Sequence, residues 1–184
     1  MTPSDEPGPP RSSLRYGHPW ADPPSERDPV RQARARLPAP VTVWTAGQAD
    51  WAGLTVSSLL LAQGEPGQLV GLIGPDSDLA DAIAETGRFV VHLLTDRREH
   101  RRLAQHFAGT LSADPDLLRV EGSDYGPRLL CAPDQLACRL HSHHPCGWSE
   151  LVEADIDDVH PAQGPQADRP ALLWYRGGFR RWSD

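Results

Sequence analysis

The sequence predicts a mainly β protein, a β-barrel with helical crossings, over residues 37–184. Strand-like segments dominate, and they follow the order three strands, helix, strand, helix, four strands. Gly and Pro clusters separate them, as turns require. The regular alternation of strand and helix that a doubly wound parallel sheet needs is missing. With 184 residues and 39% apolar content, the chain suits one domain with its own core.

The N-terminal segment differs from the rest in composition. Ten of the nineteen prolines lie in residues 1–40, where apolar residues are sparse and show no period. This composition predicts a disordered or loosely packed arm over residues 1–36. The stretch 31–37 (RQARARL) indicates a short helix before Pro38. Such an arm would either cover a partner subunit or remain a mobile tail.

The first half of the barrel begins at Val41. Ser77 predicts the N-cap of a helix on which Leu79 and Ile83 share an apolar face, and Gly87 predicts its end. β-branched and apolar runs predict four strands, at residues 41–46, 53–62, 68–74 and 88–94.

In the second half, Asp96 predicts the N-cap of another helix, with Glu99 at capping-box spacing and Gly109 at the end. Residues 110–130 read as a loop. The tripeptide Arg176-Gly177-Gly178 predicts a tight hairpin between the last two strands. The four strands of this half are predicted at residues 135–141, 150–156, 171–175 and 179–182.

Composition excludes several classes of function. A net charge of −7 argues against a nucleic-acid partner. The chain contains no Lys, so it has no Schiff-base or P-loop lysine. No apolar run is long enough to span a membrane, and no secretion signal is recognised. Three cysteines, an odd number, then suggest free thiols and a cytoplasmic protein.

Four segments, in register, resemble the flavin-reductase-like family. Residues 53–59 (GLTVSSL) are similar to its G-[ML]-T-A-N-S-F segment, and residues 87–94 (GRFVVHLL) to S-G-R-F-A-V-N-V-L. Residues 104–109 (AQHFAG) are similar to L-A-x-x-F-A-G, and residues 172–180 (LLWYRGGFR) to P-L-L-Y-Y-R-G-R-Y-R. The resemblance extends over about residues 36–182.

The resemblance implies an FMN-binding split β-barrel that works as a homodimer, with flavin near the subunit interface. It implies that NADH or NADPH reduces the flavin, FMN or alternatively FAD, and that reduced flavin is supplied to a monooxygenase partner. The hydride chemistry would belong to the flavin, so few titrating side chains are needed.

The family match places the flavin ring at Thr55, Val56, Ser57 and Ser58. The polar edge of the ring needs short polar groups on a rigid strand, and these hydroxyls and backbone amides are such groups. Thr55 and Ser57 are expected on one face because side chains alternate along a strand. Ordinary strand or turn hydroxyls are the competing interpretation.

The match assigns the flavin phosphate to the loop before the first helix. Ser77 corresponds to the family's Ser, but Leu79 stands at its Thr position, and Asp76 and Asp78 would repel a phosphate.

Two arginines and one histidine complete the expected flavin site. Arg88 and Arg180 are the candidate counter-charges for the phosphate. His92 replaces an asparagine of the family, as either a core histidine or a pocket residue.

One family motif is absent. The G-D-H segment, which the family associates with nicotinamide handling, aligns with Gly147-Trp148-Ser149. This departure favours an alternative: a diverged split barrel without reductase activity, binding haem, metal or another planar ligand as an accessory protein. Its metal or haem ligands would come from a group of imidazoles and a thiol, although solvated loop residues are the simpler interpretation: His141, His143, His144 and Cys146.

Overall fold

A computed structural model of the chain describes residues 28–112 and 114–181. The predictions for residues 1–27 and for Trp182 lie outside this range. Within it the helices are α1 (Pro29–Ala35), α2 (Asp78–Thr86) and α3 (Arg98–Phe107). The strands are β1 (Ala39–Pro40), β2 (Thr42–Ala46), β3 (Ala52–Val56), β4 (Leu59–Ala62), β5 (Gly67–Ile73), β6 (Arg88–Leu93), β7 (Val120–Glu121), β8 (Arg128–Leu129), β9 (Gln135–Cys146), β10 (Ser149–His160), β11 (Leu172–Tyr175) and β12 (Gly178–Arg181).

Seven strands form one antiparallel sheet in the order β3-β2-β6-β9-β10-β5-β4. The two outermost strands, β3 and β4, are consecutive in the chain and are separated only by Ser57 and Ser58. The sheet must therefore curl enough to bring the end of β3 next to the start of β4, although these two strands do not pair with each other. At that point the Leu72 N–H donates to the Ser58 carbonyl at 2.9 Å. This curled sheet confirms the predicted mainly β barrel.

Each face of the curled sheet buries its own apolar cluster. On one face Trp44 stacks on Phe89, with ring centroids 5.0 Å apart, and α2 contributes Leu79 and Ile83. On the other face α3 packs Leu103 and Phe107 against β2 and β3. Together the two helices cover both faces of the strands that lead to Ser57.

A second sheet, β1-β11-β12, contains the predicted tight hairpin. Arg176 and Gly177 both have positive φ, 51° and 75°, as a two-residue hairpin turn of the primed type requires. The Arg176 N–H donates to the Ala35 carbonyl at 2.9 Å, which attaches α1 to this hairpin. The helix predicted at residues 31–37 is therefore present, but it begins and ends two residues earlier.

Several predicted boundaries were wrong for identifiable reasons. The strand predicted over residues 53–62 is broken at Ser57-Ser58, where the sheet closes on itself. The N-cap of α3 is Arg97, because Asp96 forms an ion pair with Arg101 at 2.5 Å instead. The predicted loop 110–130 contains the short β7–β8 hairpin.

Strand β9 continues through Pro145 to Cys146, beyond its predicted end at residue 141. Its other neighbour, β6, pairs with it only as far as Arg139. The outer part of β9 is consequently an edge strand, where a missing N–H is tolerated. Within the described residues, no helix has the length and apolar character needed to cross a membrane.

Candidate functional site

The break between β3 and β4 exposes a set of polar groups that the fold leaves unused. Ser57 and Ser58 are half-buried. In residues 28–112 and 114–181, no hydrogen-bond acceptor faces the N–H of either serine, and the Ser57 hydroxyl also has no partner. The flanking strands β3 and β4 each pair with one neighbour only, so their backbone groups are paired in the ladder on one side. These half-buried donors are accessible from outside, so the break can donate hydrogen bonds to acceptors of a ligand.

A cation lies beside the break. The Arg34 guanidinium of α1 donates to the Ser58 hydroxyl. Among the described residues, no carboxylate lies within ion-pair distance of Arg34. The site at the strand break therefore carries hydrogen-bond donors and a positive charge.

Thr55 lies on β3 before the break, and its hydroxyl faces α3. It donates to the Ala104 carbonyl at 2.8 Å. Val56 is 3% exposed and packs into the cluster around Trp44. The Thr55 hydroxyl can still accept a hydrogen bond, but its proton is used to attach α3 to the sheet.

Ser77 is the predicted N-cap of α2, and only 3% of it is exposed. Its hydroxyl donates to the Gly74 carbonyl at 2.7 Å and accepts from the Ala80 N–H at 3.2 Å. The hydroxyl thus uses both its proton and an acceptor lone pair at the start of α2. Asp78 and Asp81 occupy the first turn, where their negative charges already complement the helix dipole.

The two candidate arginines lie away from Ser77 along the fold. Arg88 follows the C-terminal end of α2, and nine helical residues span about 13 Å. Its guanidinium lies over the Tyr125 ring, 5.4 Å from the centroid. Arg180 is exposed on β12, and its Nη1 donates to the Phe179 carbonyl at 2.9 Å. Neither is seen in contact with the loop at Ser77.

His92 lies in the packed interior and is 0% exposed. Its Nε2 lies 3.1 Å from the Thr45 hydroxyl, and its Nδ1 lies 3.3 Å from the Ala132 carbonyl. Burial, the largest cause, lowers the pKa of His92 from 6.5 to about 4. The ring is therefore neutral at pH 7 and links β6 and β2 to the segment before β9.

The imidazoles and thiol proposed as an alternative ligand set line the exposed arm of β9. His143 pairs with Glu150, and His141 Nδ1 lies 3.9 Å from Asp155 Oδ2. His144 and Cys146 are also exposed. The described part of the chain gathers no group of three or more His, Cys, Asp or Glu side chains that could hold a metal ion. The metal alternative therefore has no site in these residues.

Sequence reasoning missed Arg34. Its contact with Ser58 depends on how α1 folds back against the β11–β12 hairpin, and no local pattern encodes that placement. Sequence reasoning also missed a cavity of about 60 Å³ beside β6, β9 and β10, lined by Val90, Ser123, Tyr125, Arg128, Ala137, Asp158 and His160.

The curled sheet, closed through a polar break between its edge strands, defines a split β-barrel. Residues 34–183 match the family described as "Flavin reductase like domain". The chain therefore belongs to the flavin reductase-like family, as its four sequence segments predicted.

The chain is similar in sequence to one named protein and in fold to two solved structures. The chain is 28% identical over 164 residues to the "NADH-dependent FMN reductase AsuE2" of Streptomyces nodosus subsp. asukaensis, covering 86% of each protein. Its fold resembles the NADH:FAD oxidoreductase SgcE6 of Streptomyces globisporus C-1027, solved with NAD and FAD fragments (TM-score 0.73, 23% identity, 88% and 95% of the two chains). It also resembles the styrene monooxygenase flavin reductase of Pseudomonas putida S12 (TM-score 0.71, 18% identity, 84% and 97%).

Proposed function

We propose that this protein is an oxidoreductase that binds flavin at the Ser57–Ser58 break and reduces it with NADH or NADPH. The observation that carries the proposal is the set of unpartnered donors there: within the described residues, two backbone N–H groups and the Ser57 hydroxyl lack acceptors. The isoalloxazine edge presents acceptors at its carbonyl oxygens and ring nitrogens. Family membership supports the same ligand.

A bound flavin would supply the hydride-accepting chemistry. The chain's own residues bind and orient the ring. The amides at Ser57 and Ser58 would receive its polar edge, while Thr55 and Val56 keep the preceding strand rigid through their contacts with α3 and the core.

FMN is the proposed flavin, with FAD as the alternative. AsuE2 is named for FMN and SgcE6 for FAD, so the relatives support both. The phosphate should add little to the affinity, because the Ser77 hydroxyl is already hydrogen-bonded and Asp78 lies beside it. Ring recognition would then dominate the affinity.

The reduced flavin is proposed to serve a separate monooxygenase. One structural neighbour is the reductase of styrene monooxygenase, which supports this assignment. The nicotinamide is proposed to be NADH or NADPH, although the turn at Gly147-Trp148-Ser149 lacks the G-D-H acid and imidazole. Three free thiols, at Cys131, Cys138 and Cys146, support a reducing cytoplasmic location.

A homodimer is proposed through strand β4. Leu60 and Leu61 are 75% and 52% exposed on this outermost strand of the sheet. Adjacent exposed leucines on an open strand edge invite pairing with a second copy. Strand β4 follows Ser58 directly, so a dimer formed there would bring the flavin site close to the subunit interface.

The test measures NADH and NADPH oxidation under anaerobic conditions with FMN, FAD and riboflavin. A Ser57→Ala variant should bind flavin about 2- to 10-fold more weakly, since one hydrogen bond is lost. Ser112→Ala, an exposed loop serine, is the matched control. Flavin binding without nicotinamide oxidation would instead assign the chain to accessory, non-reductase binders.

A further inference from the structure

We propose that Arg34 of helix α1 is a further flavin-site residue, whose guanidinium binds the polar edge of the flavin ring and favours its reduced, negatively charged form. This inference rests on the proposed flavin site at Ser57–Ser58. It goes beyond that site because it assigns a role to the segment that precedes the barrel.

Helix α1 is held in place by hydrogen bonds rather than by a core. None of its seven residues is buried. Its end is fixed by the Arg176 N–H bond to the Ala35 carbonyl, and the chain that follows enters β1, where Ala39 pairs with Trp174. Arg31, Gln32 and Ala35 of this helix are half-buried, so the helix rests on the barrel without contributing to either core cluster. Its position brings Arg34 to the strand break.

The Arg34 side chain retains most of its binding capacity. A guanidinium has five N–H donors, and the contact with Ser58 uses only part of them. Among the described residues no carboxylate neutralises it, although the whole chain carries a net charge of −7. Arg34 is exposed, so its remaining N–H donors can reach an external anion or a group that becomes one.

Arg34 contacts the end of the proposed site formed by Ser57 and Ser58. Ser58 is bonded to Leu72, whereas the loop proposed for the phosphate begins two residues later and its Ser77 lies five residues later. Asp78 and Asp81 give that end negative charge. Arg34 is thus bonded at Ser58, the position proposed for the ring, whereas Asp78 and Asp81 lie in the first turn after Ser77, the position proposed for the phosphate.

The chemistry of reduction gives the guanidinium a differential effect. A hydride from NAD(P)H carries two electrons and one proton, so NAD(P)⁺ is released and the neutral ring gains one negative charge. A guanidinium at the ring edge attracts this charge more strongly than it attracts the neutral oxidised ring. Arg34 should thus tighten the binding of reduced flavin more than that of oxidised flavin.

The experiment compares Arg34→Gln and Arg34→Lys with wild type, and uses Arg36→Gln, an exposed arginine at the C-cap of the same helix, as matched control. Riboflavin is the probe because it lacks the phosphate. Tryptophan quenching gives the Kd of oxidised riboflavin, and dye-equilibrated anaerobic reduction gives the midpoint potential of the bound ring.

We expect Arg34→Gln to weaken the binding of oxidised riboflavin severalfold and that of the reduced form about tenfold more. That tenfold difference lowers the bound midpoint potential by about 30 mV for a two-electron couple. The midpoint potential of riboflavin bound to Arg34→Lys should lie close to the wild-type value. Arg36→Gln should match wild type in both affinity and potential. Wild-type affinity and potential in Arg34→Gln would overturn the role of Arg34 alone, whereas a wild-type protein that binds no flavin would overturn the proposed function with it.

Discussion

Acid should unfold this protein partly through His92. The ring is fully buried, and its pKa in the folded state is about 4 against 6.5 as the ordinary value. The unfolded chain therefore takes up a proton at a pH where the folded chain does not. Because the folded pKa is the lower one, the stability that the neutral ring provides is complete above pH 6.5 and is lost as the pH falls toward 4.

The magnitude follows from the two pKa values. Between pH 8 and pH 5 the linkage relation gives a loss of about 2 kcal/mol from this one side chain, and about 3 kcal/mol when the pH reaches 4. His100, whose pKa is also lowered mainly by burial, adds a loss of the same sign. A variant at His92 alone is therefore needed to separate the two.

The variant is His92→Asn, whose amide can still donate to the Ala132 carbonyl but does not titrate. Urea unfolding at pH 8, 6 and 5 gives the free energy of unfolding of both proteins. We expect the variant to be less stable at pH 8, since it loses the Thr45 contact and leaves a small void. Between pH 8 and pH 5 the free energy of unfolding should fall by about 2 kcal/mol less in the variant than in wild type.

Equal pH dependence in the two proteins would refute this reasoning. If the variant folds poorly, a second measurement on the wild-type protein tests the same point. The ring carbons of His92 in the wild-type protein, followed by NMR, should show no titration above pH 5. Titration near pH 6.5 in the folded state would show that the ring is accessible to water and would contradict its buried placement.

Three further predictions concern the barrel, the flavin and the dimer. Gly71→Ala would place a Cβ 2.5 Å from the Trp44 ring, so we expect a loss of about 1–3 kcal/mol by thermal or urea unfolding, and unchanged stability would contradict the packing of that ring. Asp78→Asn should raise FMN affinity about fivefold at low salt without changing riboflavin affinity, measured by quenching titrations, whereas an equal change for both flavins would exclude phosphate repulsion. Leu60→Asp should convert a dimer to a monomer by light scattering, and an unchanged mass would place the interface elsewhere.

Local chemistry was readable from the sequence wherever the controlling contacts lie within a few residues. The Ser77 cap and the Gly87 end of α2 were predicted because both depend on short-range hydrogen bonds and on a left-handed glycine, here with φ of 65°. The Arg176-Gly177 turn was predicted for the same reason. The Asp96 cap prediction was wrong: the Asp96 carboxylate forms an ion pair with Arg101, an equally local contact, and Arg97 is the N-cap residue.

The candidate site was readable only in part. The alternation of β3 predicted that Thr55 and Ser57 share a face, but it does not say which element covers that face. In the structure α3 covers it at Thr55, through the Ala104 carbonyl, whereas Ser57 lies beyond the end of β3 and is half-buried. The burial of His92 likewise depends on the segment around Ala132 that packs over it, forty residues along the chain.

The sequence by itself determined the kind of protein: strand and turn signals act over a few residues, and four motifs in register placed the chain in its family. The tertiary structure decided the character of the site. Between β3 and β4, the Ser57 and Ser58 N–H groups have no acceptor among the residues that the structure describes, and α1 brings Arg34 to the same place. Both follow from contacts between segments distant in the chain, whose geometry no local pattern records.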